Sequence, residues 1–454
     1  MPVSELNSTS ELQQENLRSH INSLCKIIEN HQKIFLNLQN YEAVINDFKS
    51  VFELLGYDIP WNIYKNAWTA VVLLKKEKDA IDSEFWFNYS LQYMKLTSEL
   101  SNLVLSNNFN ESEARSTFYE IINNVATDKM VVSNFVKSFD YILNSLLCID
   151  TEIDIDLKEN SKLFVCGFGW SGSGAVFDYL REFECVEPIN GECPIISEGL
   201  VSFKSIVESC NDSSILIKKL VQLFFIVTFI SDLSLSPFRG VRNLYKRYKK
   251  HPVEYSNCVI ELSKVISKII YNIKNNKPIE NYIILLGDKL LNLVAAGLPN
   301  GKIVLYNNAI MAKNIDMFRY IQNFHVFCVQ RDPRSNYVAR VYENLPNILS
   351  VDTFINRRIK YYNTFNQKKS LLPQNFLEKN ISIINFEDFV LNEKCRLNVL
   401  EKSNISINEW KYKKKYFDQN VSIKNLKNFE QFEPQDDIRK ISECLNEQLY
   451  IFGD

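Results

Sequence analysis

The placement of glycine constrains this chain more than any other feature. There are 12 glycines in 454 residues, about 2.6 % against roughly 7 % in an average protein. Gly56 is the only one before Gly167, and then Gly167, Gly169, Gly172 and Gly174 fall within eight residues. They lie in Lys162–Leu180, KLFVCGFGWSGSGAVFDYL, which reads as a buried strand, a Gly/Ser loop and the start of a helix. Glycines at such a junction let successive backbone N–H groups curl inward on an anion, and the helix N-terminus adds its dipole. Ser171 and Ser173 add hydroxyl donors, so the loop suits a terminal phosphate or phosphosulfate. It lacks the lysine of a GxxxxGK[ST] loop, whose position is apolar here. Gly167, Gly169 and Gly172 form a GxGxxG, but no strong acidic strand end follows about 20 residues on, as a dinucleotide fingerprint requires. Taken alone, the loop is compatible with a kinase, a dehydrogenase or a plain strand-to-helix turn.

Around the loop the chain divides in two. Residues 1–155 read as all-helical, since Pro2 and Pro60 are the only prolines before Pro188. An apolar seam steps by three and four through Leu17, Ile21, Leu24 and Ile28. It resumes through Phe35, Leu38, Tyr41, Ile45, Phe48, Phe52 and Leu55, and the turn Gly56–Pro60 ends it. Such a seam fits either an intramolecular bundle or a coiled-coil homodimer, and the aromatic positions favour the wider core of a bundle. Further helices are predicted at Trp61–Lys75, Ser83–Leu105, Glu111–Asn124 and Val131–Leu147, then an acidic linker at Asp150–Ser161. From 156 to 454 the pattern is α/β, with buried strands at Leu163–Cys166, Lys302–Tyr306, His325–Gln330 and Ile381–Ile384 separated by helices. Helix is expected from Ala175 to Phe183, through a largely helical insert at about 205–298 with a basic run Arg239–Lys250, and finally at Pro434–Phe452.

Composition removes several classes of function. A 46 % apolar content supports full cores, and 52 basic against 54 acidic residues (net −2) argues against a chain built to neutralise nucleic acid. Ten scattered cysteines without a CxxC pair read as free buried thiols in a reducing compartment, and four dispersed histidines suggest no metal site. The polar N-terminus lacks an apolar signal core, and Leu220–Leu235 is short and carries Asp232, so it reads as a buried helix. The expectation is a soluble cytoplasmic protein without stable membrane insertion. Heavy use of Asn, Ile and Lys fits AT-rich coding and a bacterial source.

A second element changes the weight of the first. The strand His325–Gln330 runs into Arg331-Asp332-Pro333-Arg334 and a helical stretch, 164 positions after Gly167. Arginine at the carboxyl end of a parallel strand sits where such sheets bind ligands, and its planar fork suits a phosphate. In this order the two elements resemble sulfotransferases that use 3′-phosphoadenosine 5′-phosphosulfate. In that family a loop of the type (R/K)SG(S/T) binds the 5′-phosphosulfate and an RDPR-like motif binds the 3′-phosphate. The segment Asn190–Ile196 (NGECPII) is similar to the one that carries a catalytic glutamate in protein-tyrosine sulfotransferases. Lys302–Asn308 (KIVLYNN), Phe386-Glu387-Asp388-Phe389 and Ser422-Ile423-Lys424-Asn425 resemble later elements of the family.

The resemblance covers roughly Leu163 to Asp454. It implies a three-layer sulfotransferase-like (P-loop-like) fold with a mostly parallel sheet, and sulfuryl transfer to a hydroxyl on a glycan, glycolipid or similar acceptor without a metal. It assigns donor binding to Gly169, Trp170, Ser171, Gly172, Ser173, Gly174, Arg331, Arg334 and Ser335. It makes Glu192 the candidate general base, with Glu198 as the alternative. Trp170 stands where relatives carry Lys or Arg, and Ala339 stands where they carry a serine. Arg340 and Ser335, neighbours of Ala339, are candidates to make good the missing serine, and Lys313 or Lys424 to supply the missing positive charge, Lys424 as a catalytic cation. Those two departures leave open a catalytically degenerate nucleotide-binding or interaction protein, and less strongly a P-loop-like kinase.

Overall fold

A computed structural model describes residues 104–105, 110–149 except 127, 154–155, 160–192, 196, 202–228, 239–299, 301–342 and 350–452. The N-terminal heptads, most of the acidic linker and Glu198 lie outside the described residues. Within them, helices α1 (Glu111–Val125) and α2 (Lys129–Leu146) precede strand β1 (Lys162–Gly167) and helix α3 (Ser173–Leu180). Strand β2 (Val186–Glu192) follows, then helices α4 (Phe203–Val207), α5 (Ser213–Thr228), α6 (Arg239–Lys250), α7 (Pro252–Lys274) and α8 (Glu280–Val294). Strand β3 (Ile303–Asn307), a 3-10 segment Ala312–Tyr320, strand β4 (Phe324–Gln330) and helices α9 (Pro333–Tyr342), α10 (Val351–Lys369) and α11 (Gln374–Asn380) come next. Strand β5 (Ile381–Asn385) and helices α12 (Phe386–Leu391), α13 (Glu393–Lys402), α14 (Gln419–Ile423) and α15 (Gln435–Cys444) complete the chain.

The five strands form one sheet in the order β2-β3-β1-β4-β5, and each adjacent pair is parallel. The four predicted strands are present; β1, β3 and β4 lie inside the sheet, where buried parallel strands need apolar residues on both faces and so read as continuous apolar runs, and β5 is an apolar edge strand. Strand β2 escaped prediction. It is an edge strand, and an edge tolerates Pro188, whose missing N–H would break a central ladder.

Alternation along β1 builds three layers. Phe164 and Cys166 face a helical layer, and Leu163 and Val165 face the other side with α3, α12 and α13. In the first layer the described part of residues 1–155 shares its core with the helical insert. Phe118 stacks on Phe139 at 4.0 Å, and Phe139 lies 6.1 Å from Phe224 of α5. Each such buried ring contributes about 2–3 kcal/mol. Asn134 of α2 donates to Ser256 Oγ at 2.9 Å, and Ser267 of α7 donates to the Tyr141 carbonyl at 2.8 Å. Helix α2 starts at Asp128, whose carboxylate accepts from the N–H groups of Met130 and Val131. The apolar stretch read as a buried helix is so up to Thr228: Leu220, Val221 and Leu223–Thr228 are all buried in α5. Among the described residues no helix is long and apolar enough to cross a membrane.

Two expectations need correction. The last helix stops at Cys444 instead of reaching Phe452. The tail is pulled away by the Tyr450 N–H, which donates to Asp332 Oδ2 at 3.1 Å, and by the Tyr450 hydroxyl, which donates to Asp388 Oδ1 at 2.7 Å. The thiols are not uniformly buried: Cys166 and Cys328 are, whereas Cys148 and Cys444 are exposed and Cys185, Cys210, Cys258 and Cys395 are intermediate.

Candidate functional site

Strands β1 and β4 end side by side, with Cys166 opposite Cys328 and Gly167 opposite Val329. After β1 the chain crosses to β2 and β3 on one side, and β4 and β5 extend the sheet on the other. The crevice between the carboxyl ends of β1 and β4 is therefore the switch point where open α/β sheets take ligands. It receives the glycine loop from β1 and the Arg331 turn from β4. Along the same edge Val165 is opposite Asn307 of β3, and Asn307 is opposite Glu192 of β2. With neighbouring strands 4.7–4.9 Å apart, the Glu192 backbone lies about 10 Å from β1.

The loop requires its glycines. Gly169, Trp170 and Gly172 all have positive φ, at +70°, +55° and +79°. A Cβ on Gly172 would overlap the Phe386 ring, so this position needs glycine for space as well as for conformation. Trp170 occupies the same left-handed region without that freedom, and its side chain is 39 % exposed. Ser171 is buried, and its Oγ accepts from the Phe168 N–H at 3.2 Å within the loop. Ser173 is half-buried at the start of α3, and Gly174 is exposed with open space around it. Surrounding elements hold the loop backbone. Asn336 Nδ2 donates to Gly169 O at 2.8 Å, the Tyr361 hydroxyl donates to Gly167 O at 3.2 Å, and Gly167 N donates to Asn308 Oδ1 at 3.2 Å.

The Arg331 turn is equally fixed. Arg331 is buried, its guanidinium lies 5.0 Å from the centre of the Phe386 ring, and its Nη2 donates to the Asn425 carbonyl. The Asp332 N–H donates to Glu387 Oε1 at 3.0 Å. Arg334 does not face the loop through a free fork: its Nε and Nη2 donate to the two Asp332 oxygens at 3.0 and 2.7 Å, and its guanidinium stacks 4.1 Å from the Phe429 ring centre. Ser335 is buried, with its hydroxyl donated to the Leu426 carbonyl. Lys424 is exposed at the end of α14, and its neighbour Asn425 is the acceptor for Arg331. Lys313 offers its main-chain N–H to the Tyr361 hydroxyl at 3.3 Å. The site thus brings together the glycine loop, Arg331, the Phe386-Glu387 junction and the Lys424 segment. Glu192 stands at the far strand end.

Sequence reasoning missed Arg358 at this site and named Arg340 only as a neighbour of Ala339. Arg358 of α10 is 5 % exposed and lies 5.3 Å from the Phe168 ring centre. It donates from Nη2 to the Arg331 carbonyl and from Nε to Gln448 Oε1, both at 3.1 Å. Its Nη1 is buried and has no hydrogen-bond partner among the described residues, and the same is true of Arg340 Nε. Arg340 lies against the loop: a Cβ on Gly169 would sit 3.0 Å from its Nη2. Burial, and then the nearby charge of Arg340, hold Arg358 down to about 10. Burial, and then Arg357, lower Arg340 in the same way. The spacing of Asn336 and Arg340, one turn apart on α9, was the available signal for a shared face. The arrangement can neutralise an oxyanion. Among the described residues no three His, Cys, Asp or Glu side chains are grouped to hold a metal ion.

No family model matches the chain, and no curated protein matches it. Solved structures similar to it include the sulfotransferase domain of the olefin synthase of Synechococcus PCC 7002. That likeness has a TM-score of 0.34 and 12 % identity, and covers 67 % of this chain and 100 % of that domain. Another is the sulfotransferase STF1 of Mycobacterium tuberculosis H37Rv, with a TM-score of 0.28 and 8 % identity over 80 % of this chain and 97 % of that one.

Proposed function

We propose that the chain is a sulfotransferase that moves a sulfuryl group from 3′-phosphoadenosine 5′-phosphosulfate to a hydroxyl of a glycan, glycolipid or similar acceptor. The observation that carries this reading is the meeting of the glycine loop with Arg331 at adjacent carboxyl ends of parallel strands. The residues present fit a multiply charged donor: the positive-φ curl of Gly169 to Gly172, the buried guanidinium of Arg331 and the unpartnered buried N–H groups of Arg340 and Arg358. The donor supplies the activated sulfuryl group when bound. The loop backbone with Ser173 would orient its phosphosulfate, and Arg331 would hold a second anionic group against Phe386. Glu192, at the end of β2, would take the proton of the acceptor hydroxyl on a carboxylate oxygen. The exposed lysines of α6, among them Lys246, Lys249 and Lys250, suit an anionic acceptor or partner. A cytoplasmic location and a homodimer through the N-terminal helices belong to the same proposal.

A second reading, nucleotide binding without turnover, is favoured by Trp170 standing in the loop where a cation would neutralise the leaving phosphate. Thermal shift tests the donor site that both readings share, and transfer from donor separates them. Adenosine 3′,5′-bisphosphate at 100 times its Kd should add about 2.7 kcal/mol of apparent stability. Stabilisation by ATP and Mg²⁺ alone would overturn the proposal in favour of a kinase. Glu192→Gln should then lower transfer from labelled donor by about 100-fold or more with bisphosphate binding intact. Transfer retained by that variant would remove Glu192 as the base, and binding without transfer in the native chain would establish the second reading.

A further inference from the structure

We infer that Arg340 and Arg358 form the cationic wall of the donor site, supplying from helices α9 and α10 the charge that the glycine loop lacks at Trp170, and that the wall is built for a phosphate- or phosphosulfate-type oxyanion. The inference rests on the proposed function, since it names the residues that would neutralise that donor.

Three observations support it. First, Arg340 is placed on the loop by its own helix. Asn336 grips the Gly169 carbonyl at 2.8 Å, and Arg340, one turn further along the same face, brings Nη2 to 3.0 Å from where a Gly169 Cβ would be. Second, both guanidiniums keep a buried donor without an acceptor, Nε on Arg340 and Nη1 on Arg358, although nearly all buried N–H groups in folded proteins are paired. Third, the two guanidiniums face other cations more closely than they face free carboxylates. Arg340 and Arg357 oppose each other, and Arg340 opposes Arg358. The carboxylate that does act on Arg358, Asp332, is already engaged by Arg334 and by the Tyr450 N–H.

Burying like charges beside carboxylates that are already engaged elsewhere is destabilising. A fold that keeps them at the mouth of an anion-shaped loop stores an electrostatic cost that an incoming oxyanion removes. A cation carried by a helix face replaces a cation carried by the loop, and this leaves Trp170 free of the neutralising role.

The experiment uses the full chain and two probes, adenosine 3′,5′-bisphosphate and inorganic pyrophosphate, with binding read by calorimetry and the thermal midpoint read without ligand. Arg340→Gln should weaken both probes by about 10-fold or more. It should also raise the ligand-free midpoint by about 2 °C or more, because an uncompensated charge is gone. Arg340→Lys should recover most of the affinity. Since Arg358 also holds the Arg331 carbonyl, Arg358→Lys is the variant of choice there and should weaken both probes while keeping the fold. A fall in the midpoint of Arg340→Gln with unchanged affinity would assign Arg340 a packing role and overturn the inference. Bisphosphate binding equal in the native chain and in Arg340→Gln overturns the inference while the proposed function stands. Pyrophosphate bound by the native chain and lost in Arg340→Gln, with no bisphosphate binding, sustains the cationic wall and removes the nucleotide donor. If neither probe binds the native chain, both fall.

Discussion

Glu387 accepts a hydrogen bond from the Asp332 N–H at 3.0 Å, and this contact joins the turn after β4 to the helix after β5. The carboxyl is fully buried, with Phe386 beside it packed against both Gly172 and Arg331. Burial pushes Glu387 up to about 7 against the partial relief of the Asp332 N–H bond, and the Asp332 charge raises it further. The group that ties the site together is therefore also one whose burial makes the fold sensitive to pH.

A raised carboxyl contributes stability that is fully present below its unfolded value of 4.5 and is lost as pH rises toward 7. The loss amounts to roughly 3 kcal/mol over that window. Glu387→Gln should keep an acceptor for Asp332 and flatten this component. Urea unfolding of native and variant chains from pH 4.5 to 7 should show their stabilities converging at the acid end and the variant ahead at neutral pH. A constant offset across the window would contradict the assignment.

His325 works in the opposite sense. Burial holds it down to about 4, with its Nε2 2.9 Å from Ser382 Oγ. Its contribution is present above its unfolded value of 6.5 and is lost as pH falls toward 4, again by roughly 3 kcal/mol. Between pH 4.5 and 6.5 the two groups oppose each other. Glu387→Gln should expose a stability that rises with pH there, and His325→Gln one that falls.

The glycines of the loop are not equivalent. Gly172→Ala meets the Phe386 ring and a φ of +79°, and should cost at least about 2 kcal/mol and weaken donor binding. Gly174→Ala meets nothing within 4 Å and lies in α3, so it should be neutral or stabilising by up to about 1 kcal/mol. Chemical denaturation of the two variants side by side checks the contrast.

Glu182 anchors the segment from Trp410 to Phe417. Fully buried, it accepts from Trp410 Nε1 at 2.8 Å and from the N–H groups of Lys414, Tyr416 and Phe417 at 3.2, 2.8 and 2.9 Å. Glu182→Ala leaves these donors unpaired and should cost about 3–5 kcal/mol. Trypsin cleavage at Lys411–Lys415 should accelerate in parallel. Unchanged cleavage would show that the segment is held by its aromatic packing instead.

The parts of the site that sequence made legible are those fixed by local rules. Gly167 to Gly174 announces a curled backbone, and Arg331 follows a strand whose apolar run names it as buried. Arg358 gives no such sign. In Asn356-Arg357-Arg358-Ile359-Lys360 it reads as one charge on a solvated helix face, and only the docking of α10 over Phe168 buries it while Arg357 stays exposed. Glu387 was visible as part of a resemblance, but its burial and its bond to Asp332 depend on β5 lying beside β4. Strand β2 was hidden by Pro188 and Asn190, residues that an edge accepts and a central strand does not.

The hydrogen bonds that Asn336 and Tyr361 make to the carbonyls of Gly169 and Gly167 bear on speed. A loop clamped from two helices has little backbone left to order when a ligand arrives. Association should then be a single concentration-dependent phase whose rate falls with added salt, as expected for an anion drawn to a preformed basic cleft. Stopped-flow traces should lack a slow, concentration-independent step, and loosening the clamp with Asn336→Ala should introduce one.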